Sequence, residues 1–226
     1  MLAALAMHGT AGAMTIAPVV VELSPVRKVV SITVTNPSDT VVNFQAEVLA
    51  WSQADGQDRF EATRDLMVVP PVARIAPGAT QIFRVTSRMS SGAREQAYRL
   101  ILEDVSAELD GPEGTATVNI RVRHSLPVFV AATGTPTLSV QLTQCTAPHG
   151  KACVRLSNDG GRHITAKSLT VGAGSWSQEI ALNTRLLVGG WREWQFDVPA
   201  KVAGIMNVKA DTSAGTFDGT LSAASR

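Results

Sequence analysis

The chain has 226 residues, a formal net charge of +1 and 45% apolar side chains. That length accommodates one large or two ordinary domains, each with a real core. The near-zero balance, with no basic run beyond Arg27-Lys28, excludes bulk electrostatic attraction to nucleic acid or an anionic membrane surface.

The chain opens with the apolar run Leu2–Met7 followed by Ala11-Gly12-Ala13, a small-x-small cleavage pattern. Residues 1–13 therefore read as the remnant of a secretory signal peptide whose positive n-region lies further upstream, the alternative being an Ala-rich tail. No stretch approaches the ~18 consecutive apolar residues of a spanning helix, so no membrane insertion is expected. Thr15–Leu23 reads as a first strand, with Pro18 tolerable at an edge. In Lys28–Thr35, Val30, Ile32 and Val34 alternate with Ser31, Thr33 and Thr35, and Asn36-Pro37-Ser38-Asp39 is a turn. Val42–Trp51 alternates again, and Ser52–Arg59 reads as a polar loop containing Asp55-Gly56. Leu66–Val69, Val72–Ala76, Thr80–Thr86 and Gln96–Asp104 follow, separated by Pro70-Pro71, Pro77-Gly78 and the loop Ser87–Arg94. Then comes Gly114–Phe129. Here Ala116, Val118, Ile120 and Val122 share one face of an extended strand, and Asn119, Arg121 and Arg123 share the other. A strand of this kind is either an ordinary amphipathic member of a sandwich or, at a sheet edge, an apolar row free to serve a second protein. About seven strands with turn signals every 8 to 12 residues point to an immunoglobulin-like sandwich.

The pattern restarts after the small, flexible Ala131–Pro136. Strands are expected at Leu138–Gln144, Cys153–Asn158, Thr165–Gly172, Trp176–Leu182, Arg192–Val198, Gly204–Ala210 and Thr216–Leu221, with glycine-rich breakers between. The fold class is thus all-β, divided into the signal remnant 1–13, a first domain 14–131 and a second sandwich 132–226. Trp176, Trp191 and Trp194 are expected to fill the second core or its rims, with sugar stacking as the alternative. Cys145 and Cys153 flank the turn Ala147-Pro148-His149-Gly150 on the arms of a hairpin, within reach of a disulfide. Such a bond fits an oxidising compartment. A metal site drawing on His149 or His163 is the alternative, although the spacing is not CxxC.

Three strings then carry a resemblance: Val69-Pro70-Pro71-Val72-Ala73-Arg74-Ile75-Ala76-Pro77-Gly78, Gln81-Ile82-Phe83-Arg84-Val85 and Glu95-Gln96-Ala97-Tyr98-Arg99-Leu100. In this order and spacing they resemble the first domain of PapD-like periplasmic chaperones of pilus assembly, over roughly Thr15–Ala131. The second domain matches in size and β-character. The resemblance implies two immunoglobulin-like domains in a boomerang arrangement, a periplasmic location, no cofactor and no catalysis. Its partners would be pilus subunits whose immunoglobulin fold lacks a last strand, and an outer-membrane usher; a self-capping dimer of the free chain is also compatible with it. The donated strand would be the one carrying Ala116, Val118, Ile120 and Val122, inserted by β-augmentation.

In familiar members, a basic residue on the first strand and a Lys near the end of the donor strand hold the subunit's C-terminal carboxylate. Those positions fall on Val20 and Pro127 here, so both charges are absent, and Ser125-Leu126-Pro127-Val128-Phe129 is more similar to the divergent branch serving spore-coat-U-like or archaic pili. A desolvated carboxylate still needs a donor. Arg99, Arg84 and Arg123 are the candidates, with Arg99 preferred; each is equally suited to a structural ion pair, such as Arg99 with Glu47 or Glu103. His8, His124, His149 and His163 do not form metal spacing, and no Gly-x-Ser-x-Gly, HExxH or glycine-rich phosphate loop occurs. Asp65, Glu95 and Glu103 are single carboxylates, Glu95 being best read as the partner of a basic residue. Two other functions compete with the chaperone: a structural pilus subunit or adhesin, and a carbohydrate-binding β-sandwich.

Overall fold

The structure, a computed structural model, describes residues 14–89, 92–106, 121–135, 137–148, 150–202 and 204–222. Among these residues there is no helix; all regular structure is strand. The signal-peptide reading of residues 1–13 lies outside the described residues.

In chain order the strands are β1 (Thr15–Ala17), β2 (Val21–Leu23), β3 (Val29–Thr35), β4 (Val42–Ala54), β5 (Gln57–Ala62), β6 (Leu66–Val69), β7 (Val72–Ile75), β8 (Thr80–Ser87), β9 (Gln96–Asp104) and β10 (Arg123–Val130). They are followed by β11 (Val140–Gln144), β12 (Lys151–Asn158), β13 (Ile164–Ala173), β14 (Trp176–Leu186), β15 (Trp191–Asp197), β16 (Ile205–Thr212) and β17 (Gly215–Ser222). The chain divides into two compact units. The first draws on Met1–Leu49, Ala62–Met89 and Arg99–Val128, the second on Ala50–Glu61, Ser90–Tyr98 and Phe129–Arg226.

One sheet of the first unit has the order β1-β3-β8-β6, and a second sheet runs β2-β10-β9-β4-β5 with β7 also paired to β4. Alternation decides what is buried. Val30, Ile32 and Val34 of β3, Phe83 and Val85 of β8, Phe44, Ala46 and Val48 of β4, and Leu100 and Leu102 of β9 point inward and are buried. The expected first strand Thr15–Leu23 is in fact two strands on different sheets, β1 against β3 and β2 against β10. Pro18 has no N–H for a ladder, so pairing stops there and resumes at Val21. The expected polar loop Ser52–Arg59 is a hairpin instead. Asp55 (φ 53°) and Gly56 (φ 68°) both take left-handed backbone, the two-residue turn that suits the twist of adjoining antiparallel strands.

Two buried asparagines close equivalent strand ends, one in each unit. Asn36 Nδ2 donates to the carbonyls of Thr40, Ile75 and Ala76 at 2.8, 3.1 and 3.2 Å, while its Oδ1 accepts from Ser38 N and Oγ. Asn158 Nδ2 donates to the carbonyls of Arg162 and Leu186 at 2.8 and 3.0 Å, and its Oδ1 accepts from Gly160 N. A fully bonded buried amide avoids the desolvation cost that an unpaired one would carry.

The second unit holds the sheets β11-β12-β15 and β14-β13-β16-β17. Its core includes Val154, Leu156, Ile164, Leu169, Val171, Leu186, Phe196, Met206, Val208 and Leu221, with Trp176 and Trp194 packed against it. Cys145 and Cys153 form a disulfide with a Cα–Cα distance of 5.0 Å, next to the β11–β12 ladder. The joined sulfurs leave neither cysteine as a thiolate, which removes the metal alternative for this oxidised state. Reducing this bond should lower unfolding free energy by about 2–3 kcal/mol, the loop-closure value for so short a loop. Denaturant titrations with and without a thiol reductant measure it; coincident curves would contradict it.

Candidate functional site

β10 changes character along its length. Arg121, Val122, Arg123 and Ser125 are exposed, whereas Leu126–Val130 is buried without a break. Val122 retains 45% of its surface, and Val105, beyond the end of β9, retains 43%. The Asp104 amide donates to the Val122 carbonyl at 3.0 Å, so β9 carries the main chain of this stretch on one side. On the other side β10 meets β2, which has three residues against the eight of β10. β2 is too short to cover that whole edge. Immediately before β10, Val122 is thus an exposed apolar side chain on a main chain bonded to β9, the kind of position from which a further strand can pair. Ala116, Val118 and Ile120 lie outside the described residues.

The three anchor candidates are not brought together. Arg84 sits on β8, opposite Ser31 of β3 and Val69 of β6, exposed on the outer face of the β1-β3-β8-β6 sheet. Arg99 and Arg123 belong to the other sheet. Arg123 lies 3.6 Å from Glu47 and 4.0 Å from Glu103, all three half-exposed. Those two glutamates, suggested by sequence as partners of Arg99, thus bond to Arg123. Surface pairs of this kind contribute no more than about 1 kcal/mol, but two carboxylates beside Arg123 oppose the approach of a third. Arg99 is half-buried on β9, and its Nη1 donates to the Ser125 carbonyl of β10 at 3.5 Å. Pro127 is buried within β10, and Val20 is half-buried just before β2.

Among the other titratable candidates, His124, Glu95 and His163 have partners within the fold, while His8 and His149 lie outside the described residues. His124 packs against Phe44, ring centroids 6.3 Å apart. Glu95 bonds to a basic residue as its surroundings in sequence suggest, and the partner is His163. Trp191 carries the Arg155 guanidinium 4.0 Å from its ring centroid.

One cluster has no signal in the sequence. Asp58 Oδ1 accepts from Trp51 Nε1 at 2.9 Å, Gln53 Nε2 at 3.0 Å and Arg192 Nη2 at 2.6 Å. Gln53 also donates to the Arg185 carbonyl and accepts from the Leu187 amide. A Cβ at Gly56 would stand 2.7 Å from the Trp191 ring, so the turn needs glycine for space as well as for its positive φ. Together these contacts fasten the β4–β5 hairpin within the second unit. Burial pushes the Asp58 carboxyl up; the bonds from Trp51 and Gln53 and the charge and bond of Arg192 outweigh it, holding the group below its ordinary 3.8.

A depressed carboxylate stabilises the fold fully above its unfolded value and loses that contribution as pH falls through the folded one. Asp58→Asn should therefore melt below the parent at neutral pH, and the gap should narrow as the pH falls below 3.8 and through the depressed folded value. Thermal melts across that range test this; a gap independent of pH would contradict it.

Residues 13–136 match the family described as "Pili and flagellar-assembly chaperone, PapD N-terminal domain". No curated protein matches the sequence. Among solved structures, the chain is similar to a chain of the CsuC–CsuE chaperone–tip subunit pre-assembly complex from the archaic Csu pili of Acinetobacter baumannii. Identity is 19% and the TM-score 0.68, covering 93% of this chain and 97% of that one. The class 5 fimbriae chaperone CfaA aligns at 12% identity and a TM-score of 0.62 over 92% of this chain and 98% of its own. A chain of the Salmonella enterica SafA pilin–SafB chaperone complex aligns at 16% and 0.62 over 92% and 96%.

Proposed function

Because the chain belongs to the PapD family of pilus and flagellar-assembly chaperones, we propose that it captures pilus subunits in the periplasm by lending them its own edge strand and then passes them to an outer-membrane usher. In this reading residues 14–131 form the capturing domain and 132–226 a second sandwich. The donated side chains are Ala116, Val118, Ile120 and Val122. Exposed Val122, immediately before β10 and continuing in sequence the alternating apolar positions Val118 and Ile120, is the observation that carries this reading. The similar CsuC–CsuE and SafA–SafB complexes, each a chaperone with a subunit, support it.

Capture by such a strand has two components. Main-chain N–H and C=O groups complete a ladder with the subunit, and alternate aliphatic side chains enter its open groove. Three such side chains at roughly 1.5–3 kcal/mol each are ample for binding. The same pairing hides an edge that would otherwise template aggregation. No bond is made or broken and no cofactor takes part. For the subunit's terminal carboxylate we assign Arg99, which lies on β9 beside the donor strand; Arg123 is flanked by two acids, and Arg84 belongs to the other sheet.

The chain, expressed with an export signal in a piliated host and recovered from the periplasm, should bring down a subunit identifiable by mass spectrometry. Ile120→Asp should lose that partner while keeping its circular dichroism and melting temperature, because the residue faces the groove. Retention at unchanged affinity would refute strand donation. Arg99→Ala should weaken capture about tenfold or more, as expected for loss of a charge-assisted bond; an unfolded variant would make Arg99 a structural residue instead.

A further inference from the structure

The buried part of β10 ends in an aromatic stack. Phe129, 2% exposed, lies face to face with His163, ring centroids 3.6 Å apart and planes 8° from parallel. Trp51 approaches Phe129 at 6.2 Å and 40°. Each outer ring is itself held by a carboxylate. Asp58 accepts from the Trp51 indole N–H, and Glu95 Oε1 lies 2.7 Å from both His163 Nδ1 and the His163 amide nitrogen. The Glu95 amide in turn donates to the Gly161 carbonyl at 3.0 Å. Five consecutive residues, Leu126–Val130, are buried at this end, while Arg121–Arg123 at the other are exposed.

We propose that the Trp51–Phe129–His163 stack is the clamp at the root of the donor strand, and that His163 and Glu95 are positioning residues for subunit capture, although neither touches the subunit. The proposal rests on the strand-donation reading and adds what holds the strand ready. A strand that must present several side chains in register to a foreign groove loses affinity with every increment of freedom it retains before binding, since ordering it opposes association. Phe129 and Ser125 are four residues apart on the same strand, so an immobile Phe129 limits how far the exposed segment can slide or twist. His163 is suited to this task. Its ring supplies the flat face that Phe129 stacks on, and its bond to Glu95 fixes the ring plane, so the clamp has one orientation rather than several.

Hydrogen exchange of the free chain and capture of the co-purifying subunit, measured side by side, test the clamp. In His163→Ala the amides of Leu126, Val128, Phe129 and Val130 should exchange faster, and capture should weaken about two- to tenfold, the range that one aromatic pair supports. His163→Phe, which keeps a stacking ring, should restore both. Glu95→Gln, which keeps an acceptor for His163, should stay near the parent where Glu95→Ala does not, and it serves as the control if His163→Ala fails to fold. Faster exchange with unchanged capture would overturn the proposal, and so would unchanged exchange in a folded His163→Ala. A parent chain that captures nothing would count against strand donation itself. The two failures are distinguishable because the exchange measurement needs no subunit.

Discussion

A strand at the rim of a sheet carries backbone donors and acceptors with no partner of their own, and an apolar row on such a strand must find cover outside its own core. The proposed capture of a subunit depends on that constraint. Strand side chains alternate, so a core can bury only one face of a strand. In β3, β4 and β8 the inward face is apolar and buried, which leaves their outer residues to solvent. Just before β10 the situation differs: Val122 is exposed, the Asp104 amide of β9 takes its carbonyl, and β2 has three residues against the eight of β10. In the proposed function, a subunit strand satisfies the ladder and the side chains at once.

The second unit encloses its own aliphatic core, carries the disulfide, and includes the β4–β5 hairpin fastened through Asp58, Gln53 and Gly56. An isolated pilus subunit would be a single sandwich short of one strand. Two compact units, each with a closed asparagine corner, suit a chaperone better, and the family match agrees.

Local patterning made much of this legible. Alternation located the strands of both halves, and Asn36-Pro37 and Ala147-Pro148 announced turns, so the cysteine pairing could be read from a hairpin. Asp55-Gly56 was equally readable as a two-residue hairpin turn, but the polar residues around it, Gln57, Asp58 and Arg59, suggest a loop because both faces of β5 are exposed. Pro18 marks an interruption but not a change of sheet, because a switch depends on which partner strand lies nearby. The same limit applies to the arginines. Arg84, Arg99 and Arg123 are alike in local pattern, and only the sheet order separates the first from the other two. Contacts across long separations leave no local trace at all: Arg192 lies 134 positions from Asp58, and His163 lies 68 from Glu95.

The central claim is that one segment of backbone changes from open edge to interior strand when a subunit binds. Hydrogen–deuterium exchange followed peptide by peptide, with and without the co-purified subunit, addresses that change directly. The account predicts that residues 114–122 gain strong protection in the complex while the sheets of the second unit keep theirs unchanged. Protection gained only elsewhere, with residues 114–122 exchanging as in the free chain, would contradict it.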